Sequence, residues 1–576
     1  MKLTYLPLLA LAALATAPRL SAQAAPAASA AKPADGTVKL EAFTVTGSNF
    51  KRLDQEKVLP VTVFNLEAME ARNALTPVEM LTALPQITNL PLNESQNGGA
   101  NARGDNANVN LRGIGAGSTL VLLNGRRIAP HPITSNDGGV PAFYANVNQL
   151  PTQGIERIDV LRDGASSIYG SDAVAGVINY VTRRDFRGTE FRLRLGAPER
   201  GGGESVQATL TYGRDFAGGR GRLLATFDHF QREEIGYSER SYTRDANHTA
   251  QAPAGFNAIG GSFDGRSAVS VYPSFRIGTA TAANFFRPIN GALTLTTSSP
   301  TASVAARTAS PEFFTNINQY QNTGHNRSNR QNFFTGLEYD LNDRVTAFAD
   351  FSFYHAQAKI RRQPVQLNAP GSDQFAPMSI DNPFNPYGSR FYHPAGAPNA
   401  DGTSRLNGNP QQIVMVSVLL KDVGPELIEV NSGVYRGVAG LRGRFLDGWT
   451  WEAALLHTRA YTADVSSNAA RESLFQRALM RTDASAFNPF GATFRVAGNA
   501  VVYDRPYVNP APVLDTFVQK WRHDGFSALT SGDVRVGGPE NVLKGVVVAG
   551  AGVGVAHQKG NGGTQGANRL TGRTRF

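Results

Sequence analysis

"IERIDVLRDGASSIYGSDAVAGVINYVTRRD", residues 155–185, decides the fold of the first part of this chain. Ile158 and Val160 share one face of a short strand that carries Glu156 and Arg162 at its ends. "GASSIYG" then makes a brief turn of helix, and "AGVINYVT" returns as a second strand. A strand that opens into a helical turn is where a phosphate cradle would sit, but the Gly-Lys-Ser/Thr ending of a P-loop is missing. The element is compact and carries no nucleophile or metal ligand. Its meaning comes from its neighbours.

Upstream, from about Pro60 to Arg184, helical and strand patterns alternate. "VTVFN" reads as a strand. "EAMEARNALTPVEMLTALP" sets Met69, Leu75, Met80, Leu81 and Leu84 at helical spacings, with Pro77 opening a second helix and Pro85 closing it. "NVNLRGIG" and "STLVLLNGRRI" follow, with Asn124-Gly125 as a tight-turn signal. These elements predict a small α/β domain over 49–186.

Downstream of about Phe191 the period becomes two. "FRLRLG", "SVQATLTYGRDF" and "GRLLATFDHFQ" alternate around the short turn "AGGRG". Further hairpins turn at Asn342-Asp343 and Asp447-Gly448. Between them lie long polar segments, roughly 232–330, 358–411 and 462–517. Short turns on one side and long loops on the other are the pattern of outer-membrane barrels rather than of a soluble sandwich or propeller. "FNPYG" (384–388) and "FNPFG" (487–491) echo each other in two of those loops. Asn-Pro initiates turns, so a loop folding on itself is expected, with ligand contact as the alternative.

At the N-terminus, Lys2 precedes an apolar run from Leu6 to Ala17, and Ala22-Gln23-Ala24 offers a cleavage site; residues 1–24 read as a secretory signal peptide. Residues 25–39 are an Ala/Pro-rich linker. "EAFTVTGS" (41–48) then presents an isolated β-prone segment. The formal charge of +10 suits either nucleic acid or anionic lipid headgroups, and the exported N-terminus argues against nucleic acid. Cysteine is absent, which excludes disulfides and thiolate metal sites. The longest late apolar run, "VVVAGAGVGVA" at 546–556, is too short to span a bilayer as a helix. Neither H-E-x-x-H, G-x-S-x-G nor a calcium-loop spacing occurs. These absences together argue against an enzyme, and no metal or cofactor is implied.

"VNLRGIGAGSTLVLLNGRRI" (109–128) followed by "IERIDVLRDGASSIYGSDAVAGVINYVTRR" (155–184) resembles the plug domain of TonB-dependent outer-membrane receptors, and "EAFTVTGS" resembles their TonB box. The resemblance implies a membrane β-barrel with an N-terminal α/β plug in its lumen, in the outer membrane of a Gram-negative-type bacterium. It implies uptake of a scarce ligand of the siderophore, haem, cobalamin or oligosaccharide class. It implies two partners besides membrane lipid: TonB and a small extracellular ligand. Phe43, Thr44, Val45 and Thr46 would pair with TonB as an added strand. Arg112, Arg126, Glu156 and Arg162 would bridge plug and barrel, or remain solvated surface charge. Gly113, Gly125, Gly164, Gly170 and Gly176 would serve tight turns. Arg103, His131, Asp137 and Tyr144, on plug loops expected to face outward, are the candidate ligand contacts.

Two departures stand out. The family's usual "RGP" is "RDG" here, Arg162 to Gly164. Barrels of this family have about 22 strands, whereas residues 187–576, less their loops, yield about a dozen at 9–11 residues each. The chain therefore reads as a partial or truncated receptor. A binding or adhesion protein without transport is the alternative from another class.

Overall fold

The computed structural model describes almost all of residues 105–255, 314–368 and 376–537, with shorter stretches between 43 and 88, 263 and 296, and 547 and 575. Two units separate: Met1–Phe43, of which only Phe43 is described, and Thr44–Phe576, which holds everything that follows.

Five strands make the plug sheet: β1 (Val61–Asn65), β2 (Thr119–Leu123), β3 (Arg126–Arg127), β4 (Ile155–Leu161) and β5 (Gly176–Thr182). Their order is β1-β4-β5-β2-β3, with β5 and β2 parallel and the other pairs antiparallel. The near-continuous apolar run of β2, "TLVLL", is buried throughout because both faces of the sheet are covered. Leu120 and Leu122 join Leu161, Ala173 and Val177 on one side, while Val121 and Leu123 join Val78, Leu81, Ile158, Val160 and Ile178 on the other. The helix within the opening stretch is a single turn, Ser166–Tyr169. Of the two helices expected over 67–84, the described residues contain a 3₁₀ turn at Glu79–Leu81, whose Met80 and Leu81 enter the core.

Ten strands form the second sheet, each antiparallel to the next in chain order. They are β6 (Gly188–Gly196), β7 (Ser205–Phe216), β8 (Gly221–Arg232), β9 (Arg327–Asn342), β10 (Val345–Arg362), β11 (Glu426–Leu446), β12 (Trp449–Ala470), β13 (Val518–Gly537), β14 (Val547–Asn561) and β15 (Thr574–Arg575). Short turns join β7–β8, β9–β10 and β11–β12 at one edge, the turn edge. The long connections leave from the other, the loop edge. The count falls below the dozen expected because the strands are longer: β12 has 22 residues and β11 has 21. Among the described residues no pairing joins β6 to β15.

The alternation in this sheet is inverted relative to a soluble protein. On β7 the polar Gln207, Thr209 and Thr211 are buried while Val206 and Leu210 are exposed. Ser328, Arg330 and Asn332 are buried on β9, with Leu337 and Leu341 exposed on its other face. An exposed apolar face over a buried polar one is what a bilayer outside and a hydrated or plugged lumen inside require. One row across this outer face is aromatic: Phe227, Phe333, Phe353 and Tyr435 are successive cross-strand partners. Among the described residues no helix is long and apolar enough to cross a membrane; the crossing elements are strands.

The loops are themselves folded. Segments from three of them pack Phe275, Phe286, Met378, Ile413, Phe475, Phe487, Phe490 and Phe517 into a separate apolar cluster at the loop edge. Asn-Pro-aromatic turns recur at Asn382, Asn385 and Asn488. In each, the Asn side-chain oxygen accepts the N–H two residues on, from Phe384, Tyr387 and Phe490 respectively, all at 2.9 Å.

Candidate functional site

The site is the contact between the plug and the polar face of the ten-stranded wall. It starts from the β2–β3 hairpin. Asn124 (φ 53°) and Gly125 (φ 74°) both have positive φ, the conformation that a two-residue I′ turn demands. Asn124 is held from inside the plug, its oxygen accepting from the N–H and hydroxyl of Thr182 at 3.0 and 3.1 Å. Its amide donates outward to Asp350 of β10 at 3.1 Å. The Gly125 carbonyl accepts from Arg535 of β13 at 3.0 Å. A Cβ on Gly125 would lie 3.4 Å from that guanidinium, so the glycine serves close approach as well as φ.

Arg126 completes the anchor. Its guanidinium donates to Glu452 of β12 at 2.5 Å and makes two bonds of 3.1 Å to Asp533 of β13, with Phe348 of β10 against its face at 5.3 Å. The wall answers with Arg436 of β11, which donates to the plug carbonyls of Leu123 and Arg127 at 3.2 Å each. Glu338 of β9 gathers Arg184 at the plug's exit (2.6 Å) together with Arg442 (2.7 Å) and Arg222 (3.2 Å). The apolar part of the seam has two pieces: Leu224 and Phe334 are the wall's buried members of the main plug core, and Ala129 of the plug packs with Tyr354, Ala356, Val434 and Ala460 of the wall.

A second contact lies nearer the loop edge. Asp105, almost fully buried, accepts from Arg330 at 3.0 Å and from the Tyr354 hydroxyl at 2.7 Å. Asn146 ties this segment together, donating to the Asp105 carbonyl at 2.7 Å and accepting from the Ala107 N–H at 3.1 Å. Ser527 of β13 donates to the Pro130 carbonyl at 2.5 Å. His131 stacks on Tyr144 with ring centroids 5.2 Å apart, and its Nδ1 lies 2.8 Å from the Ile133 carbonyl. Burial lowers the His131 pKa to about 4, so the ring is neutral, and burial with nearby Asp105 raises that of Tyr144.

Of the residues singled out in the sequence, Arg126 is brought against the wall by its side chain. Arg112 turns inward to the plug, to the Arg162 carbonyl and Asp163. Glu156 pairs with Arg157 of its own strand at 3.8 Å. Gly113, Gly125, Gly170 and Gly176 have positive φ; at Gly164 the constraint is instead the Val174 carbonyl, 3.2 Å from where a Cβ would stand. His131 and Tyr144 are buried rather than open to an incoming ligand. Asp137 lies on a short strand, Ser135–Asp137, paired with Val140–Ala142. Phe43–Thr44 form a two-residue strand. Val45, Thr46, Arg103, the leader and the linker lie outside the described residues. Sequence reasoning missed Asp105, Asn146 and every wall partner. Asn124 was visible only as a turn residue.

The profile of the TonB-dependent receptor plug domain matches residues 54–177. An iron-regulated outer membrane virulence protein of Vibrio cholerae is 31% identical over 151 residues, covering 26% of this chain and 21% of the relative. The match therefore spans about a fifth of that relative's length. Among solved structures, the siderophore receptor PiuA from Acinetobacter baumannii aligns at 12% identity with a TM-score of 0.40, covering 93% of this chain and 63% of that one. The ferric citrate transporter FecA in its unliganded form aligns at 11% identity with a TM-score of 0.38, covering 90% and 60%.

Proposed function

We infer, starting from a chain that belongs by its plug to the TonB-dependent outer-membrane receptors, that its task is energised import. A small ligand binds from the loop side, the plug obstructs the lumen at rest, and TonB pulls on the N-terminal box to open a path. The observation that carries this reading is the seating of a plug on the polar face of a wall whose other face is apolar. A domain held mainly by ion pairs and hydrogen bonds to carbonyls can exchange those contacts for water, so it can be displaced without exposing much apolar surface. No bond-making step is needed.

For the ligand we favour an iron carrier, because the relative 31% identical over 151 residues is named as iron-regulated. TonB engagement would be by β-augmentation through Phe43 to Thr46, where backbone bonds matter more than side-chain identity. The test is a TonB pull-down together with uptake of radioiron on a panel of carriers, for wild type and Val45→Pro. Proline cannot donate to an added strand, so both capture and uptake should fall to background. Capture and uptake that persist in Val45→Pro would sink the energised reading. Lost capture with ligand binding intact is the expected pattern.

A further inference from the structure

The turn edge carries a set of arginines that the plug does not use. Arg214 near the end of β7, Arg220 in the β7–β8 turn, Arg344 in the β9–β10 turn and Arg444 near the end of β11 are all exposed. None of the four has a carboxylate partner among the described residues. Among the described residues nearby acids are few: Asp215 is paired with Arg187 at 2.6 Å, Asp340 with Arg222 at 3.3 Å, and Asp343 is exposed. The loop edge differs. There the outward cations Arg327, Lys359, Arg361 and Arg522 each meet a carboxylate, from Glu233 (3.2 Å), Glu429 (2.6 Å), Glu234 (3.1 Å) and Asp524 (2.7 Å).

The four arginines are interleaved with aromatic side chains. Phe216 stacks near Tyr339 at 6.1 Å, and the Arg220 guanidinium lies over Tyr339 at 5.3 Å. Phe445 and Trp449, which flank the next turn, are 5.6 Å apart. The turns are tied to each other through the main chain: Asp340 N–H donates to the Arg220 carbonyl at 2.8 Å and Arg444 N–H to the Arg344 carbonyl at 2.9 Å. The turns that carry Arg220, Arg344 and Arg444 are thus held side by side at the rim, with Arg444 following Arg442 in the alternation of β11, beside rings that sit well at a membrane–water boundary.

We propose that this row is a docking surface for anionic phospholipid headgroups of the leaflet at the turn edge. Unpaired guanidiniums offer forked donors to phosphate oxygens, and the adjoining aromatics fix the depth at which they present them. The loop edge, where Arg327, Lys359, Arg361 and Arg522 already meet carboxylates, offers a phosphate fewer free cations. The proposal rests on the membrane reading of the wall, and the experiment separates the two.

Wild-type protein is reconstituted in vesicles, and the relative association of spin-labelled phosphatidylglycerol and phosphatidylcholine is measured at low and high salt. Wild type should favour phosphatidylglycerol, and Arg214→Gln/Arg220→Gln/Arg344→Gln/Arg444→Gln together should reduce that preference by about tenfold or more. The same four positions changed to Lys should keep most of it, and Arg327→Gln/Lys359→Gln/Arg361→Gln/Arg522→Gln should keep all of it. High salt should weaken the preference. The proposal is overturned if the turn-edge Gln variant retains the preference, or if the loop-edge variant loses as much. Immobilisation of neither lipid by wild type would instead overturn the membrane reading of the wall. If the Gln variant does not insert, the four single Arg→Gln changes read the same preference one contact at a time.

Discussion

Replacing Arg126 with alanine removes a plug side chain that engages two wall carboxylates, and the cost can be worked from its surroundings. The guanidinium is 6% exposed, with Glu452 at 27% and Asp533 at 17%. Stranding a buried charge costs about 3–5 kcal/mol. Here Asp533 retains Arg535 at 3.3 Å and Glu452 has access to solvent, so the expected loss is lower, about 2–3 kcal/mol. Because the chain has no cysteine, a single Ala129→Cys at the seam, where Ala129 is buried against Tyr354 of β10, can report plug unseating through maleimide labelling in outer membranes. Arg126→Ala should raise the labelling rate about 30–150-fold at a given urea concentration. Arg126→Ala/Glu452→Gln/Asp533→Asn should recover much of the loss, because the stranded charges are gone. Labelling within about twofold of the parent, or a triple variant no slower than the single, would refute the argument that this ion cluster anchors the plug.

The buried neutral His131 makes the plug acid-sensitive. An unfolded histidine takes a proton near pH 6.5 and the folded one near 4, so the unfolded state binds more protons between those values and stability falls as pH drops through that window. The loss reaches about 3 kcal/mol at its lower end; the urea midpoint of plug unfolding should fall between pH 7 and 4.5 in wild type and fall less in His131→Asn. Gly176→Ala should prevent plug folding, because φ is +145° and the new Cβ meets the Leu161 carbonyl and, at 2.9 Å, Leu111; protease digestion of the 105–184 region reads it. Asn385→Ala leaves the Ser379 and Gln411 carbonyls and the Tyr387 N–H without their buried partner. It should loosen the loop cluster by about 2–4 kcal/mol, seen as faster hydrogen exchange over 376–420 with the wall unchanged.

The legible parts of this molecule were those that local chemistry specifies. β2 announces itself by its apolar run, its turn by Asn124-Gly125, and the wall hairpins by alternation and by Asp447-Gly448. The inverted burial of the wall was legible only as period two, since a strand does not say which of its faces meets lipid. The site was mostly illegible for a plain reason: Arg126 meets Glu452 and Asp533 across separations of 326 and 407 residues. Nothing near Arg126 distinguishes it from Arg112, which finds its partner 51 residues away inside the plug. Of the helix expected to open at Pro77 the described residues show a 3₁₀ turn, since spacing cannot tell an α-helix from a tighter turn whose apolar residues reach the same core, and most of 67–75 lies outside the described residues.

The distribution of contacts bears on how a plug can be both secure and removable. The plug's own cohesion is apolar: two clusters on the faces of one sheet, with the wall contributing Leu224 and Phe334 to the larger. Its attachment adds to these and to the Ala129 contact with Tyr354, Ala356, Val434 and Ala460 a larger set of ion pairs and hydrogen bonds. Arg436 shows the difference most clearly, a guanidinium buried at 1% exposure that donates to the plug carbonyls of Leu123 and Arg127. Its second terminal nitrogen has no hydrogen-bond partner among the described residues. A cation so placed is poorly solvated while the plug is seated and gains water when the hairpin leaves, which lowers the cost of departure. Apolar burial inside each body and exchangeable polar contacts between them let the lumen fill with water while plug and wall stay folded.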